Sequence, residues 1–416
     1  MKKNNSIFPI VLVTSLFFLW GFALNLNPIL IPHLKKACQL SDTESALIDS
    51  AAYIAYFLMA IPAGLFMKRF GYKGGIIVGL LLFAFGAFLF YPAAETRVYS
   101  FFLGAIFIIA CGLTFLETAA NPYITVLGSP DTSALRINFA QSFNGLAASL
   151  AIYLGGKFIL SGVELTAEQQ ASMSAEQMNL YLNQEASSVE MPYIIIGIVV
   201  LTVALFLWRT PLPEIVEEDN SLETEGSILK EKNLMLGVLA QFFYVGAQVC
   251  VSSFFIRYSG HVAGLKETPA KNLLSLALLA FMIGRFIGTF LMKYIAPARL
   301  LAIYSINSFI LLIIAVMAEG MISVYAIFMV EFFMSIMFPT IFSLSIRGLG
   351  SKTKQGSALV IMSIVGGAIF PVIMGGVSDA SNIQTAYIVP ALCFIVILYF
   401  ALKNMNVKEI KMVLSH

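Results

Sequence analysis

The feature that most constrains this chain is a series of apolar stretches, each roughly 18–25 residues long, the length at which an α-helix crosses about 30 Å of hydrocarbon. Hydrophobic residues make up 59% of the 416 residues and charged residues only 12%, which is more apolar surface than a soluble core can bury. Because a backbone in lipid must satisfy its own hydrogen bonds and the period-two alternation of a barrel is absent, the stretches are predicted to be helices. The twelve candidates begin near Phe8, Ala46, Gly75, Val98, Leu135, Met191, Asn233, Leu273, Ala298, Met321, Ser357 and Thr385.

The charges outside these stretches predict the orientation in the membrane. If the N-terminus is cytoplasmic, most Lys and Arg residues fall in cytoplasmic segments, as the positive-inside rule requires. An even number of helices then places both termini in the cytoplasm. The first apolar run continues past Ala23 to about Ile31, so we predict an uncleaved first helix and not a signal peptide. The chain is therefore expected to be an integral multi-pass plasma membrane protein surrounded by lipid, in the inner membrane if the source is bacterial.

An internal repeat divides the chain into halves. The pattern FFxxG occurs at 17–21 and again at 242–246, and Pro122 and Pro339 fall at similar depth in the fourth helix of each half. The predicted fold is all-α, with twelve transmembrane helices in two pseudo-symmetric six-helix bundles. Parallel repeats of this kind suit alternating access, with substrate bound near the membrane midplane between the halves. The predicted domains are residues 1–210, an acidic cytoplasmic linker at 211–232 and residues 233–416.

Glu117 lies in the middle of the fourth apolar stretch, within FLETAANP at 115–122. An ionised carboxylate at that depth costs at least about 2.5 kcal/mol unless it is paired, hydrated or protonated. Thr114 and Asn121 share its helix face and are predicted to hydrogen-bond it. Pro122 has no N–H to donate, so a bend and a free backbone carbonyl are expected there. Such a carboxyl group can take up and release a proton during transport or neutralise a cation, and a purely structural neutral acid is the alternative.

The first helix is predicted to be broken. It reads GFALNLNPILIP, in which Asn25 and Asn27 precede Pro28 and Pro32, and each proline removes a backbone donor. An unwound segment at this depth is tolerated only where it lines protein or a water-filled cavity. Both asparagines are therefore predicted to line a binding site.

Amide side chains recur along two further helices. In the fifth helix, Asn138, Gln141 and Asn144 lie three residues apart, and in the seventh Gln241, Tyr244 and Gln248 follow a similar spacing. Fixed donors and acceptors beside an aromatic face suit a neutral polyol such as a sugar. Amides that only hold helices together are the alternative. The predicted substrate contacts are Trp20, Asn25, Asn27, Gln141, Asn144, Gln241, Tyr244 and Gln248, and the predicted ion-coupling residues are Glu117, Asn121 and Asn27.

The remaining ionisable residues predict little further chemistry. Arg285 and Glu331 lie in the eighth and tenth helices, where a structural ion pair is favoured and a second titrating role for Glu331 is the alternative. The three histidines are not placed for a proton relay. The four cysteines show neither metal-ligand spacing nor a disulfide framework, so no metal or resident cofactor is predicted. Basic residues sit in short loops and not in one patch, so no nucleic-acid partner is expected, and a monomer suffices.

Several segments resemble the fucose:proton symporter family, a sugar-transporting branch of the major facilitator superfamily. LETAANP at 116–122 and AQSFN at 140–144 are the most specific, and similar segments run through nearly the whole chain. The loop GLFMKRFGYK at 64–73 is similar to the superfamily's G-x-x-x-D-R-x-G-R-K loop, with Lys68 where the acidic residue usually sits. The resemblance implies the twelve-helix fold and sugar transport.

The resemblance also implies roles for individual residues. Glu117 matches the family's intramembrane glutamate implicated in coupling, and Gln141 and Asn144 match positions that line its sugar cavity. The fucose symporters carry Asn-Asp in the first helix, where this chain has Asn27-Pro28. Three options therefore stay open: Glu117 alone handles a proton, Asn27 and freed carbonyls help to hold Na⁺, or the carrier is uncoupled.

The predicted function is a secondary active transporter that imports a monosaccharide, a hexose or deoxyhexose such as glucose, galactose or fucose, coupled to H⁺ or Na⁺. A drug or metabolite:proton antiporter of the same superfamily is the nearest alternative, but such antiporters carry a G-P-x-x-G-G type motif where the fifth helix here reads NGLAASLAIYLGG. A channel or structural membrane protein fits poorly with the repeat. An enzyme is not expected, because the sequence has no recognisable nucleophile–base pair.

Overall fold

The structure, a computed structural model, describes residues 7–40, 42–158, 172–212 and 227–405. Most of the predicted linker and the first part of the predicted acidic loop at 163–190 lie outside the described residues. The α-helices are α1 (Ile7–Leu24), α2 (Asn27–Ala37), α3 (Asp42–Phe88), α4 (Phe90–Thr96), α5 (Tyr99–Val126), α6 (Ser133–Phe158), α7 (Ala175–Ser187), α8 (Glu190–Arg209), α9 (Lys232–Ala263), α10 (Glu267–Leu291), α11 (Pro297–Met317), α12 (Gly320–Met334), α13 (Met337–Ile346), α14 (Thr353–Met362), α15 (Gly366–Ala380), α16 (Ile383–Ala386) and α17 (Ile388–Met405).

Nine helical stretches of the described chain are long and apolar enough to cross a membrane. One of them, Ser50–Thr96, contains two predicted crossings, because α3 turns sharply at Gly71, whose φ of 72° lies in the left-handed region that glycine tolerates. The first and fifth predicted helices correspond to α1 with α2 and to α6. The predicted all-α architecture of twelve helices is confirmed.

The predicted break in the first helix is also confirmed. α1 ends at Leu24, α2 begins at Asn27, and a turn joins them. The backbone N–H and the side-chain Nδ2 of Asn25 both donate to the carbonyl of Gly21, at 3.2 and 2.7 Å. Pro28 falls at the start of α2, where its missing N–H would have no helical partner in any case. The break is therefore compatible with the hydrogen bonding of both helices.

Contacts divide the chain into two compact units. Unit 1 comprises Met1–Gly128, Ala140–Ser221 and Gly350–Met362, and unit 2 comprises Ser129–Phe139, Leu222–Leu349 and Ser363–His416. The domain boundaries predicted from the sequence stay a prediction, since the units follow the halves apart from two short segments. One of these segments carries α14, which packs against α3 and α5 within unit 1.

Gly64, the first residue of the 64–73 loop pattern, has a packing role in unit 1. A Cβ atom at this position would lie 2.7 Å from the Cβ of Ala358 and 3.3 Å from the carbonyl oxygen of Lys354, both on α14. The Nζ atom of Lys354 also lies 5.0 Å from the ring centroid of Tyr72. Glycine at position 64 therefore permits α14 to approach α3 closely.

Candidate functional site

The carboxyl group of Glu117 is buried inside unit 1, with 5% of the residue exposed. Its hydrogen-bond partner is the hydroxyl of Tyr56 on α3, which donates to Oε1 at 2.5 Å. The partners expected from the sequence bond elsewhere: the Thr114 hydroxyl donates to the carbonyl of Ala110 at 2.8 Å, and Asn121 engages α6. Tyr56 lies 61 residues away in the sequence, so helix periodicity around Glu117 gives no signal for it.

Asn121 lies one turn after Glu117 and connects α5 to α6. The Nε2 atom of Gln141 donates to Oδ1 of Asn121 at 3.4 Å, and both side chains are buried. The Nδ2 atom of Asn121 has no hydrogen-bond partner within the described part of the chain. A buried amide with an unsatisfied donor is costly unless it meets water or a ligand. The structure therefore brings together three predicted residues: a carboxyl group and two amides on adjoining helices.

Asn144 reaches the first helix, where Gly21 makes room for it. A Cβ atom at Gly21 would lie 2.7 Å from Cγ and 2.9 Å from Cα of Asn144. Asn144 and Asn25 are each only half-buried, whereas Trp20 is buried with its ring 4.1 Å from that of Phe17. The side chains of Asn27 and Pro28 are outside the described residues. Unit 1 therefore places Asn25, Asn144 and Trp20 near one another around Gly21.

The three amides of α6 do not share one environment. Asn138 belongs to unit 2, where its Nδ2 atom donates to the carbonyl of Ala134 at 2.8 Å and to the hydroxyl of Thr340 at 3.1 Å. Gln141 and Asn144 belong to unit 1. Asn138 therefore fits the alternative reading, in which an amide holds helices together.

In unit 2 the predicted residues of α9 differ in exposure. Gln241 is fully buried, and neither its Nε2 nor its Oε1 atom has a hydrogen-bond partner among the described residues. Tyr244 is also fully buried and donates to the carbonyl of Met334 at 3.0 Å, so its hydroxyl ties α9 to α12. Gln248 is half-buried. The unsatisfied amide of Gln241 is the feature of this group that most suggests a polar ligand.

The ion pair favoured between Arg285 and Glu331 is wrong for this structure. Nε of Arg285 donates to the carbonyl of Ser335 at 2.8 Å, and the hydroxyl of Ser252 donates to Oε1 of Glu331 at 2.6 Å. Oε2 of Glu331 has no hydrogen-bond partner within the described ranges. Both residues face the interior of unit 2, but the sequence contains no information on the distance between helices eight and ten.

The second part of the acidic loop also differs from expectation. It was expected to be a solvated cap, but it forms α7, whose buried face includes Leu182, Glu185 and Ala186. Glu185 contacts His33 and Lys36 on α2. These contacts belong to a second buried polar cluster in unit 1, separate from Glu117.

The comparisons with known proteins agree with one another. The profile of the Major Facilitator Superfamily matches residues 11–367. The L-fucose-proton symporter of Escherichia coli (strain K12) is 44% identical over 96% of this chain and 94% of its own length. The glucose/galactose transporter of Brucella abortus biovar 1 (strain 9-941) is 41% identical over 96% of this chain and 95% of its length.

Solved structures give the same result. A crystal structure of the transporter FucP in the outward conformation matches with a TM-score of 0.89 and 44% identity, covering 96% of this chain and 99% of that one. The proton:xylose symporter XylE matches with a TM-score of 0.70 at 14% identity, covering 97% of this chain and 96% of that one, which shows the fold alone. These relatives are transporters and not enzymes. The chain belongs to the Major Facilitator Superfamily and, within it, to the family that contains the L-fucose-proton symporter and the glucose/galactose transporters.

Proposed function

We propose that this protein is a secondary active transporter that imports a monosaccharide by alternating access and couples its movement to a proton. The observation that carries the proposal is the position of Glu117, one helical turn from the Asn121–Gln141 amide pair in unit 1. A group that can bind a proton and groups that can bind sugar hydroxyls therefore share one buried face of α5. The names of the relatives support a hexose or deoxyhexose as the substrate.

Glu117 is the proposed coupling residue. As a neutral acid it is compatible with its buried position, whereas as a carboxylate it has a single donor, Tyr56, among the described residues. The ionised form therefore requires water to reach the group, and the return to the buried state requires a proton. Asn121, with a free buried donor, is proposed to support the carboxylate or to meet the substrate. This linkage between protonation and burial is what symport needs.

The sugar contacts are proposed to come from amides of both units. In unit 1 they are Gln141, Asn144, Asn25 and Asn27, with Trp20 shaping the apolar side. In unit 2 the unsatisfied amide of Gln241 and the half-buried Gln248 are proposed, with Tyr244 holding α9 in place. Amide groups can both donate and accept, which matches the alternating needs of sugar hydroxyls.

A proton is preferred over Na⁺ because two relatives are named L-fucose-proton symporters. We also propose that the protein works as a monomer in the inner membrane of a bacterium, with both termini in the cytoplasm. No resident cofactor is proposed.

The test is uptake of labelled L-fucose, D-galactose and D-glucose into proteoliposomes under an imposed pH gradient, an Na⁺ gradient or no gradient. The proposal predicts accumulation of at least one sugar above equilibrium, driven by the pH gradient only. Accumulation driven by Na⁺ alone would replace the coupling ion, and equilibration without accumulation would indicate an uncoupled uniporter. Absence of sugar transport, together with proton release on addition of cationic drugs, would favour the antiporter.

A further inference from the structure

The second buried polar cluster of unit 1 joins α7 to α2. Glu185 and His33 are each only 2% exposed. The Nζ atom of Lys36 lies 2.9 Å from Oε1 of Glu185, and Nδ1 of His33 lies 3.5 Å from its Oε2. The ring of His33 also bonds the backbone of the same residue, because Nε2 lies 2.8 Å from the carbonyl oxygen of Glu185. One residue of α7 therefore contacts α2 through its carboxylate and its backbone.

The geometry defines the roles of donors and acceptors. A carbonyl oxygen only accepts, so Nε2 of His33 carries a proton in this contact. The hydroxyl of Ser188 donates to the same carbonyl at 2.8 Å and lies 3.1 Å from Nε2. Lys36 also places Nζ 4.9 Å from the ring centroid of Tyr181. A buried carboxylate with this many partners is compensated, and removal of one partner leaves the others unpaired.

The second anchor of α7 is of a different kind. At the turn between α4 and α5, Nη1 of Arg97 donates to Oδ1 of Asn183 at 2.9 Å, and Nη2 donates to Oδ1 of Asn179 at 3.2 Å. These bonds are exposed to solvent and are expected to contribute little to stability. α7 therefore has one buried anchor, on α2, and one exposed anchor, on Arg97.

The position of α2 gives the buried anchor a consequence for the site. α2 is the segment that follows the break in the first helix, and it begins at Asn27. The joint at Asn25 and Leu26 is a turn, so the helix itself does not fix the direction of α2 relative to α1. Contacts with α3 and α7 must fix it. Of these, the contacts of Glu185 are buried and charged, which gives them geometric specificity.

We propose that Glu185 and His33 are positioning residues of the sugar site, which clamp α2 to α7 and thereby hold the Asn25–Asn27 break in its binding geometry. The inference rests on the proposed function, because it assigns the break to the sugar site. Glu185 and His33 do not touch the sugar. They act through the backbone of α2 on asparagines that lie one to three turns away.

The test uses intrinsic fluorescence, since the chain has only two tryptophans. Trp208 is 64% exposed, whereas Trp20 is buried one turn before the break. A Trp208→Phe background leaves Trp20 as the reporter, and titration with L-fucose, D-galactose and D-glucose gives Kd directly. Glu185→Ala is expected to raise Kd about tenfold, which corresponds to a loss of roughly 1.4 kcal/mol of binding free energy. Glu185→Gln keeps an acceptor for Lys36 and is expected to recover most of the affinity.

Arg97→Ala is the matched control, because it removes the exposed anchor of the same helix. It is expected to change Kd by less than about twofold. If Glu185→Ala does not yield folded protein, Lys36→Met replaces it, since that side chain is 31% exposed, and a rise in Kd of about threefold is expected. Folded variants of Glu185 or Lys36 that melt earlier but bind sugar with the parent's Kd would overturn the inference. Failure of the parent protein itself to bind or transport any sugar would instead overturn the proposed function.

Discussion

The hydroxyl of Tyr56 on α3 donates a 2.5 Å hydrogen bond to the carboxyl group of Glu117 on α5. Both side chains are buried in unit 1, so this bond is the partner that the carboxyl group has among the described residues. The bond stabilises the ionised form more than the neutral acid, because a hydroxyl that donates to a carboxylate makes a charge-assisted bond. Tyr56 is therefore expected to assist the step in which Glu117 loses its proton.

The variant Tyr56→Phe tests this role. It removes the donor and keeps the ring, so an ionised Glu117 loses a bond that is typically worth about 1.5–3 kcal/mol. We expect the maximal rate of proton-driven uptake to fall about tenfold or more, while exchange of sugar between the two sides at equal pH is affected less. Labelled-sugar uptake and counterflow in the same proteoliposomes measure both. Equal losses in the two assays would show that Tyr56 supports folding or binding and not proton release.

The variant Gly21→Ala tests the position of Asn144. The added methyl group would meet Cγ of Asn144 at 2.7 Å, so the amide must move. We expect KM for the sugar to rise about tenfold with a smaller change in maximal rate, since overpacking of this kind costs roughly 1–3 kcal/mol. Gly104→Ala is the matched control, because a Cβ at Gly104 meets no atom within 4 Å. A KM for Gly21→Ala equal to that of the control would remove Asn144 from the proposed sugar contacts.

The variant Glu331→Gln tests the correction concerning Arg285. An amide can still accept from Ser252, and the structure shows no ionic partner for Glu331 among the described residues. We therefore expect the free energy of unfolding to change by less than about 1 kcal/mol, whereas breaking a buried ion pair costs about 3–5 kcal/mol. Melting temperatures in detergent compare the variant with the parent. A large loss that Arg285→Met in the same chain restores would re-establish the ion pair.

The pH dependence of stability tests the cluster at the end of α2. Burial lowers the pKa of His33, and Glu185 and Lys36 are the titratable groups that act on it. Because the folded pKa lies below the ordinary value of about 6.5, neutral His33 contributes stability above that pH, and the contribution is lost as pH falls toward the folded pKa. The melting temperature of the parent should therefore fall more steeply below about pH 6.5 than that of His33→Gln. Parallel curves from pH 8 to pH 5 would contradict this.

Much of the fold follows from local patterns in the sequence. The apolar stretches and their turns place the helices, and the spacing of Asn25, Asn27 and Pro28 places the break between α1 and α2. These features depend on residues close in sequence, where helix length and missing backbone donors decide the outcome. The pairing of Gln141 with Asn121 was within reach because both were recognised as polar residues inside helices.

Contacts between distant helices could not be derived in the same way. Tyr56 is one of several aromatic residues in an apolar helix, and only the packing of α3 on α5 selects it as the partner of Glu117. Opposite charges in two helices suggested that Arg285 and Glu331 pair, but Ser335 and Ser252 take their place. The acidic composition of residues 163–190 suggested a solvated loop, and the burial of Glu185 was missed because its partners lie on α2. A periodic pattern of Leu182, Glu185 and Ala186 was the available signal.

The most direct test of the account compares the parent protein with Glu117→Gln in proteoliposomes. Both are assayed for accumulation of labelled sugar under an inward pH gradient and for exchange of sugar without a gradient, with Glu319→Gln, an exposed carboxylate, as the control. The account predicts that Glu117→Gln exchanges sugar but no longer accumulates it, and that the control does both. Accumulation by Glu117→Gln at the level of the parent would contradict the coupling role of Glu117 and the mechanism built on it.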